Sequence, residues 1–442
     1  MNFDSMIPHT LIRKAREYSR RLWVRVVFLG LLAFVALGVT QVIEALIPKE
    51  LGTTLTGAAA DRLLQIIANA MLAVTTFSIT VMVTVYRASS TQWTPRVHRL
   101  IIQDRTTQNT LAVFIGAYVY ALVAIILREL GIYVDERALV LFVMTVLVLA
   151  VIVIYLIRWV LHLQTFGSLI DTTRQIEDVT RAQFQDRLDN PCLGANAFTG
   201  EVPEGAKELH AWESGYIQHI YPEALDAAAK AHGVELYLIK NIGHFSFVNE
   251  PMLMVADRGK PEDDDHDWDS LVEAVRANVR LGDLRTYDQD PRFGLVVMGE
   301  VASKALSPGV NDPGTAIDVI TRIGRILSAY TDEKSQDRDT KLDRLFVAPL
   351  DPKDLIEDGF AALARDGVAV VEVQQRLQSV LAGLMRHPDD GLCKAARDAA
   401  EVHLRRTLGA IDFEPDRDRV LSSAASDLCT EMRKEVLDQA GE

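Results

Sequence analysis

Four apolar runs dominate the first third of the chain: Leu22–Ile47, Leu63–Tyr86, Thr110–Leu127 and Ala138–Val160. A helix needs about 20 apolar residues to cross roughly 30 Å of hydrocarbon, and each run reaches or approaches that length. A helix on a soluble core shows a polar position every few residues. Leu139–Ile157 is interrupted only by Thr145 and Tyr155. The pattern predicts four transmembrane helices. The first run starts well inside the chain, is too long for a signal-peptide core and lacks a small-residue cleavage site, so it reads as a retained span.

The second run also carries a polar stripe. Gln65, Asn69, Ala73, Thr76, Thr80 and Thr84 recur at three or four residues and end at Arg87. That spacing places them on one helical face, opposite Leu64, Ile67, Met71, Val74 and Val81. Polar side chains inside a membrane require partners or water. One reading is a face lining an aqueous path built by several copies around an axis, with Gln65, Asn69, Thr76, Thr80 and Thr84 lining it. Helix packing explains the same stripe, because Ala and Thr allow close approach and Thr can bond its own backbone. No Asp, Glu, Lys or Arg lies mid-span, which argues against a proton-relay transporter.

After Ile170 the periodicities become those of a soluble protein. Thr172–Leu188 predicts a bridging helix and Asn190–Gly205 a loop. Ser214–Ile220, Val234–Ile239, Met252–Ala256 and Leu345–Leu350 read as strands. Helices are expected over Pro222–Ala231 (closing at Gly233), Ser270–Leu281, Pro291 to about Leu306, and Pro313–Tyr330. Three or four more are expected between Pro352 and Gly441. The expected fold is an α-helical membrane domain of four transmembrane helices plus a cytoplasmic α+β domain with a helical C-terminal region. Its boundaries are 1–165 for the spans, 166–205 for a helical linker, 206–350 for the α+β domain and 351–442 for the C-terminal helices.

Charge sharpens this division. Met1–Ile170 holds 15 Lys and Arg against 9 Asp and Glu, and the remainder holds 31 against 51, giving +6 and −20 within the overall −14. An acidic soluble half excludes nucleic acid as an expected partner, since phosphate binding needs a basic face. Basic residues also set orientation. Arg13, Lys14, Arg16, Arg20 and Arg21 precede the first run, Arg87, Arg96, Arg99 and Arg105 separate the second and third, and Arg158 closes the fourth. The other two connections mix signs, at Lys49, Glu50, Asp61 and Arg62 and at Arg128, Glu129, Asp135, Glu136 and Arg137. Both termini are therefore expected in the cytoplasm, in a multi-pass protein of a bacterial inner membrane.

Candidate chemistry is sparse. Cys192, Cys393 and Cys429 form no disulfide framework or CxxC pair. The acidic run Glu262–Asp269 lacks the interior Gly and ligand spacing of a calcium loop and reads as solvated. His244, in IGHFSF, sits at an expected strand turn and reads as structural. Asp290-Pro291, Asp312-Pro313 and Asp351-Pro352 read as helix starts, with Asp at N-cap and Pro at the first helical position. ALSPGVNDPGTA (Ala305–Ala316) compresses two helix ends into a tight turn, where Ser307, Asn311 and Asp312 form a candidate ligand or ion site. Arg285, Asp288 and Asp290 of RTYDQD join it if the fold brings the loops together. No GxSxG, Walker A, HExxH, GxGxxG with strand context or paired CxxC is present. No catalytic residue, metal or cofactor is assigned.

Two stretches carry a resemblance. They are Tyr86–Gln108 (YRASSTQWTPRVHRLIIQDRTTQ) and Gly282–Ala316 with its GDLRTYDQDPRFG and ALSPGVNDPGTA segments, supported by SGYIQ at Ser214–Gln218. With these the chain resembles the bacterial family catalogued as domain of unknown function 2254. It departs from the family pattern at Trp93-Thr94 and at Gly314. The resemblance implies four spans and a cytoplasmic C-terminal part, and no chemistry. The leading expectation is an oligomeric, channel-like pore in the lipid bilayer, gated or assembled by the acidic domain. The alternatives are a membrane-anchored sensor or scaffold whose soluble part binds a small ligand or partner, and a membrane enzyme acting on a lipid-linked substrate.

Overall fold

The computed structural model describes residues 57–131, 138–257, 268–334 and 341–440, together with Val24, Val27, Leu31, Phe34 and Val35. Most of the first apolar run, the N-terminal arginines and most of the acidic run Glu262–Asp269 lie outside the described residues. Two compact units divide between Thr172 and Thr173.

In the first unit, α1 (Gly57–Gln92), α2 (Pro95–Ile102), α3 (Arg105–Glu129) and α4 (Ala138–Leu163) are described. Among the described residues three helices are long and apolar enough to cross a membrane: α1, the stretch Pro95–Glu129 that ends in α3, and α4. Leu64, Ile67 and Met71 of α1, Phe114, Tyr120 and Ala121 of α3, and Leu141 and Trp159 of α4 share one core. Tyr120 and Thr145 satisfy each other there through a 3.2 Å hydroxyl contact. The α1–α3 connection, marked in the sequence only by its arginines, contains α2. Thr94 starts it by accepting from the Val97 N–H, and Val97 and Ile101 face inward. Trp93 is buried beside them.

The second unit begins in α5 (Leu169–Asp189), a single helix. A short turn at Pro191–Gly194 leads into β1 (Ala195–Ala197), followed by β2 (Lys207–His210), β3 (Gly215–Ile220), α6 (Pro222–His232), β4 (Val234–Leu238), β5 (Phe245–Ser246), β6 (Pro251–Asp257), α7 (Trp268–Asn278), β7 (Val279–Gly282) and β8 (Leu342–Val347). Gly233, at φ +69°, ends α6 in the left-handed conformation that a side chain disfavours. One sheet has the order β1-β8-β4-β6-β2, with β1, β8 and β4 mutually parallel and β6 antiparallel to β4 and β2. A small antiparallel sheet has the order β5-β3-β7. Leu236, Leu238, Leu253, Leu345 and Val347 build its neighbour's core against Leu225 and Ala229 of α6.

Several expectations change here. The loop expected over Asn190–Gly205 contains β1, and β2 follows it. The helix expected to run through Leu281 stops at Asn278, and Val279–Gly282 leaves it as β7 to pair with β3. These strands are three or four residues long, too short for alternation to reveal. Their partners hold them, not their own pattern.

The rest is helical: α8 (Pro291–Ala305) and α9 (Pro313–Leu327) before β8, then α10 (Pro352–Asp366), α11 (Val371–Leu384), α12 (Asp390–Ala410), α13 (Glu414–Leu421) and α14 (Ser426–Ala440). Asp290, Asp312 and Asp351 each occupy the N-cap ahead of a Pro and accept backbone N–H groups.

Candidate functional site

Parallel strands bring their carboxyl ends to one edge of a sheet, which is where ligands bind in open α/β sheets. In the second unit β1 leads to Phe198 and Thr199, β4 to Ile239 and Asn241, and β8 to Ala348–Asp351, all around one cleft of about 560 Å³. Helix starts meet the same cleft. Pro291 and Arg292 open α8, Asp351 and Pro352 open α10, and Asp389 and Gly391 flank the start of α12.

Arg187, which lines the cleft, belongs to a buried charge pair. Arg187 of α5 is 5% exposed and donates to Glu333 through Nε (2.5 Å) and Nη2 (2.9 Å). Its Nη2 also donates to the Ala348 carbonyl at 2.9 Å. Glu333, likewise 5% exposed, accepts the Leu350 N–H at 2.7 Å. Asn241 donates to the same Ala348 carbonyl at 3.1 Å. One ion pair thus ties α5 to the segment after β8, and Asn241 ties in the segment after β4.

Pro291 and Arg292, which line the cleft, belong to the RTYDQDPRFG segment. Asp290, 2% exposed, takes two bonds from Arg285 (2.9 and 3.1 Å) and the N–H groups of Arg292 and Phe293 (3.1 and 3.0 Å). Burial raises its carboxyl above the ordinary range, against the opposing pull of Arg285. Gly243 lies on this pair at φ +85°, and a Cβ there would sit 2.1 Å from Asp290 Oδ2. Only glycine lets the IGHF turn approach so closely. Arg292 reaches α10, donating to Asp358 (2.6 Å) and Asp354 (2.5 Å).

Three further carboxylates line the cleft. Asp332, Asp351 and Asp389 each give one oxygen to a backbone N–H, of Lys334 (3.0 Å), Lys353 (2.9 Å) and Leu392 (2.8 Å). Tyr330 donates to the Leu350 carbonyl at 3.3 Å. Burial foremost, then Asp389 and Asp332, pushes its hydroxyl well above the usual tyrosine range, so it stays protonated. Among the described residues no group of three or more His, Cys, Asp or Glu could hold a metal ion. The arrangement suits binding of a small polar molecule.

The residues singled out from sequence separate. Arg285 and Asp290 pair at the start of α8, and Asp288 is exposed beside them. Ser307, Asn311 and Asp312 lie past its other end, about 22 Å away at 1.5 Å per residue over 15 residues. Ser307 Oγ donates to the Lys304 carbonyl (2.7 Å), and its own carbonyl accepts the Asn311 N–H (2.9 Å). Asn311 takes φ +50°. Asp312 accepts from Thr315 Oγ1 (2.5 Å) and N (3.1 Å), contacts that hold its carboxyl below the usual range. That turn is internally bonded and lines no part of the cleft. Sequence reasoning missed Asn241, Tyr330, Asp332 and Asp389. Asp351 was legible as a cap, but nothing local says that three helix starts and three strand ends converge.

On α1, Gln65, Asn69, Thr76, Thr80 and Thr84 are all exposed on the single chain. Thr76, Thr80 and Thr84 donate to the carbonyls of Leu72, Thr76 and Thr80, each at 2.9 Å.

A sequence model for the family described as "Predicted membrane protein (DUF2254)" matches residues 19–383. The uncharacterized proteins Rv1290c of Mycobacterium tuberculosis and Mb1321c of Mycobacterium bovis are each 27% identical over 365 residues, covering 79% of this chain and 68% of theirs. No solved structure matches.

Proposed function

The chain belongs to the DUF2254 family of predicted membrane proteins, and on that premise we propose that it is a membrane-anchored receptor whose soluble unit binds a small polar ligand. In this reading Leu22–Ile47 is a fourth span beside the three described ones. Both termini and the acidic unit face the cytoplasm of a bacterial inner membrane. The observation that carries it is the cleft of about 560 Å³ at the carboxyl ends of β1, β4 and β8, where three helix starts also meet. Bonded side chains at the strand ends and fixed dipoles at the helix starts give a ligand polar groups already oriented.

The test is a thermal-shift screen of the purified protein in detergent against nucleotides, amino acids, sugar phosphates and polyamines, beside Thr199→Trp. Thr199 is exposed at the cleft mouth, so the indole obstructs entry without touching the core. A ligand at about a hundredfold its Kd contributes about 2.7 kcal/mol of stability, a shift of several degrees that Thr199→Trp abolishes. A screen in which no compound separates wild type from the variant refutes the receptor.

A second reading, an oligomeric channel, is favoured by one observation. The stripe Gln65, Asn69, Thr76, Thr80 and Thr84 faces away from the side of α1 that packs on α3 and α4. Copies arranged around an axis would line a path with it, and the net charge of −20 beyond Ile170 would concentrate cations at its mouth. The hydroxyl bonds to the helix's own carbonyls weaken the need for water there. Ion flux in liposomes decides it. Flux that appears with protein and changes in Thr76→Leu/Thr80→Leu supports the channel, and no flux across pH, voltage and divalent ions removes it.

A further inference from the structure

The connection between α1 and α3 is more than a loop with positive charge. α1 has 36 residues, about 54 Å of helix at 1.5 Å per residue, against roughly 30 Å of hydrocarbon. Its apolar run ends at Tyr86, and that of α3 begins at Thr110. Residues 87–108 therefore lie at the level where lipid headgroups meet water.

This segment is folded. Trp93 (3% exposed), Val97 and Ile101 are buried. Ser89 Oγ lies 2.7 Å from His98 Nδ1, which ties α1 to α2. Tyr86 from α1 and Gln108 from α3 both donate to the Ile102 carbonyl, at 3.3 and 3.5 Å. Three helix ends thus converge on one point, each with an arginine within three residues of a tie: Arg87, Arg99 and Arg105. Arg87 and Arg105 are exposed and Arg99 half-buried. None of the three forms an ion pair among the described residues. The segment's sole acid, Asp104, is occupied by Thr107 N and Oγ1 (2.7 and 2.6 Å) and by His162 (3.1 Å). Ile102 stands outward beside them at 39% exposure.

We infer that this elbow is a binding site for the phosphate headgroup of an anionic phospholipid. Topology alone requires positive charge on that side of the membrane, not guanidinium groups mounted on a packed scaffold. Arginine is the side chain suited to phosphate, because its planar fork donates two parallel bonds. Mounting three of them on a folded segment packed through Trp93, Val97 and Ile101 removes much of the ordering cost that a mobile loop would incur. Ile102 adds an apolar contact for the acyl chain below the phosphate.

The experiment uses the full-length protein in detergent, with retained lipid counted by native mass spectrometry after adding phosphatidylglycerol or phosphatidylcholine. Wild type is expected to retain phosphatidylglycerol selectively and to release it at high salt. Arg87→Gln/Arg99→Gln/Arg105→Gln should weaken retention about a hundredfold, near fivefold per arginine, as about 1 kcal/mol per basic residue at an anionic surface implies. Arg87→Lys/Arg99→Lys/Arg105→Lys keeps the charge and the insertion signal, and should fall between the two. Equal retention of both lipids by wild type, or undiminished phosphatidylglycerol binding by the glutamine variant, overturns the site. Displacement of the lipid by millimolar inorganic phosphate also overturns it, in favour of a free-anion site. If the glutamine variant fails to insert, the salt response of wild type and the lysine variant decide alone.

Discussion

Replacing Glu333 with Leu removes one half of the buried Arg187–Glu333 pair. Arg187 would remain 5% exposed with its charge uncompensated, and the Leu350 N–H would lose its acceptor at 2.7 Å. Breaking a buried pair by removing one partner costs about 3–5 kcal/mol, because the surviving charge stays desolvated. An orphaned N–H adds about 1–3 kcal/mol. At about 2–4 °C per kcal/mol for a domain of roughly this size, the melting temperature should fall by at least roughly 10 °C. Arg187→Met/Glu333→Leu should recover more than half of that loss, since replacing both members of a buried pair by apolar groups is often neutral or stabilising. Its residual deficit reflects the Leu350 N–H and the Ala348 carbonyl, which Asn241 still serves at 3.1 Å. The assay is intrinsic-fluorescence melting of wild type, both single variants and the double variant, closed as a double-mutant cycle. A Glu333→Leu shift below about 2 °C, or a double variant no better than the single, refutes the account.

Two other consequences can be measured directly. His403 of α12 is 8% exposed, and burial, then Arg406, lowers its pKa from 6.5 to about 4. The unfolded state then binds more protons between those values, so the contribution of His403 is complete above pH 6.5 and is lost as pH falls towards 4. The loss is about 2 kcal/mol at pH 5 and about 3 kcal/mol at pH 4. His403→Leu should flatten that part of the stability profile in denaturant titrations, and an unchanged profile counts against it. Gly243→Ala must relieve a Cβ 2.1 Å from Asp290 Oδ2 at φ +85°. It should cost roughly 1–3 kcal/mol from backbone strain before any loss of the Arg285–Asp290 pair, read as a fall in melting temperature. Asp290→Asn alone leaves the glycine's conformation intact and should not reproduce that strain.

The amino-acid sequence by itself determined the features whose cause lies within about twenty residues. Apolar run length marks α1, α3 and α4, because the hydrocarbon thickness is a local ruler. Asp290, Asp312 and Asp351 announce their helices, because a cap and a proline act on the next turn of backbone. The split between a basic apolar part and an acidic polar part is likewise written in composition. What only the tertiary structure decided depends on partners far along the chain. β1 exists because Asn196 and Ala197 meet Phe346 and Val347. β7 exists because β3 offers an edge that outcompetes continuation of α7. The cleft follows from those pairings, since Arg187 and Glu333 meet across 146 residues and Asn241 reaches Ala348 across 107. Arg285 and Asp290 were visible as a motif, but their separation from Ser307, Asn311 and Asp312 was set by α8, a helix that puts its two ends a full length apart. Local pattern fixes which residues can start, stop or bury an element. Which elements then share an edge is settled by long-range packing, which no window of the sequence contains.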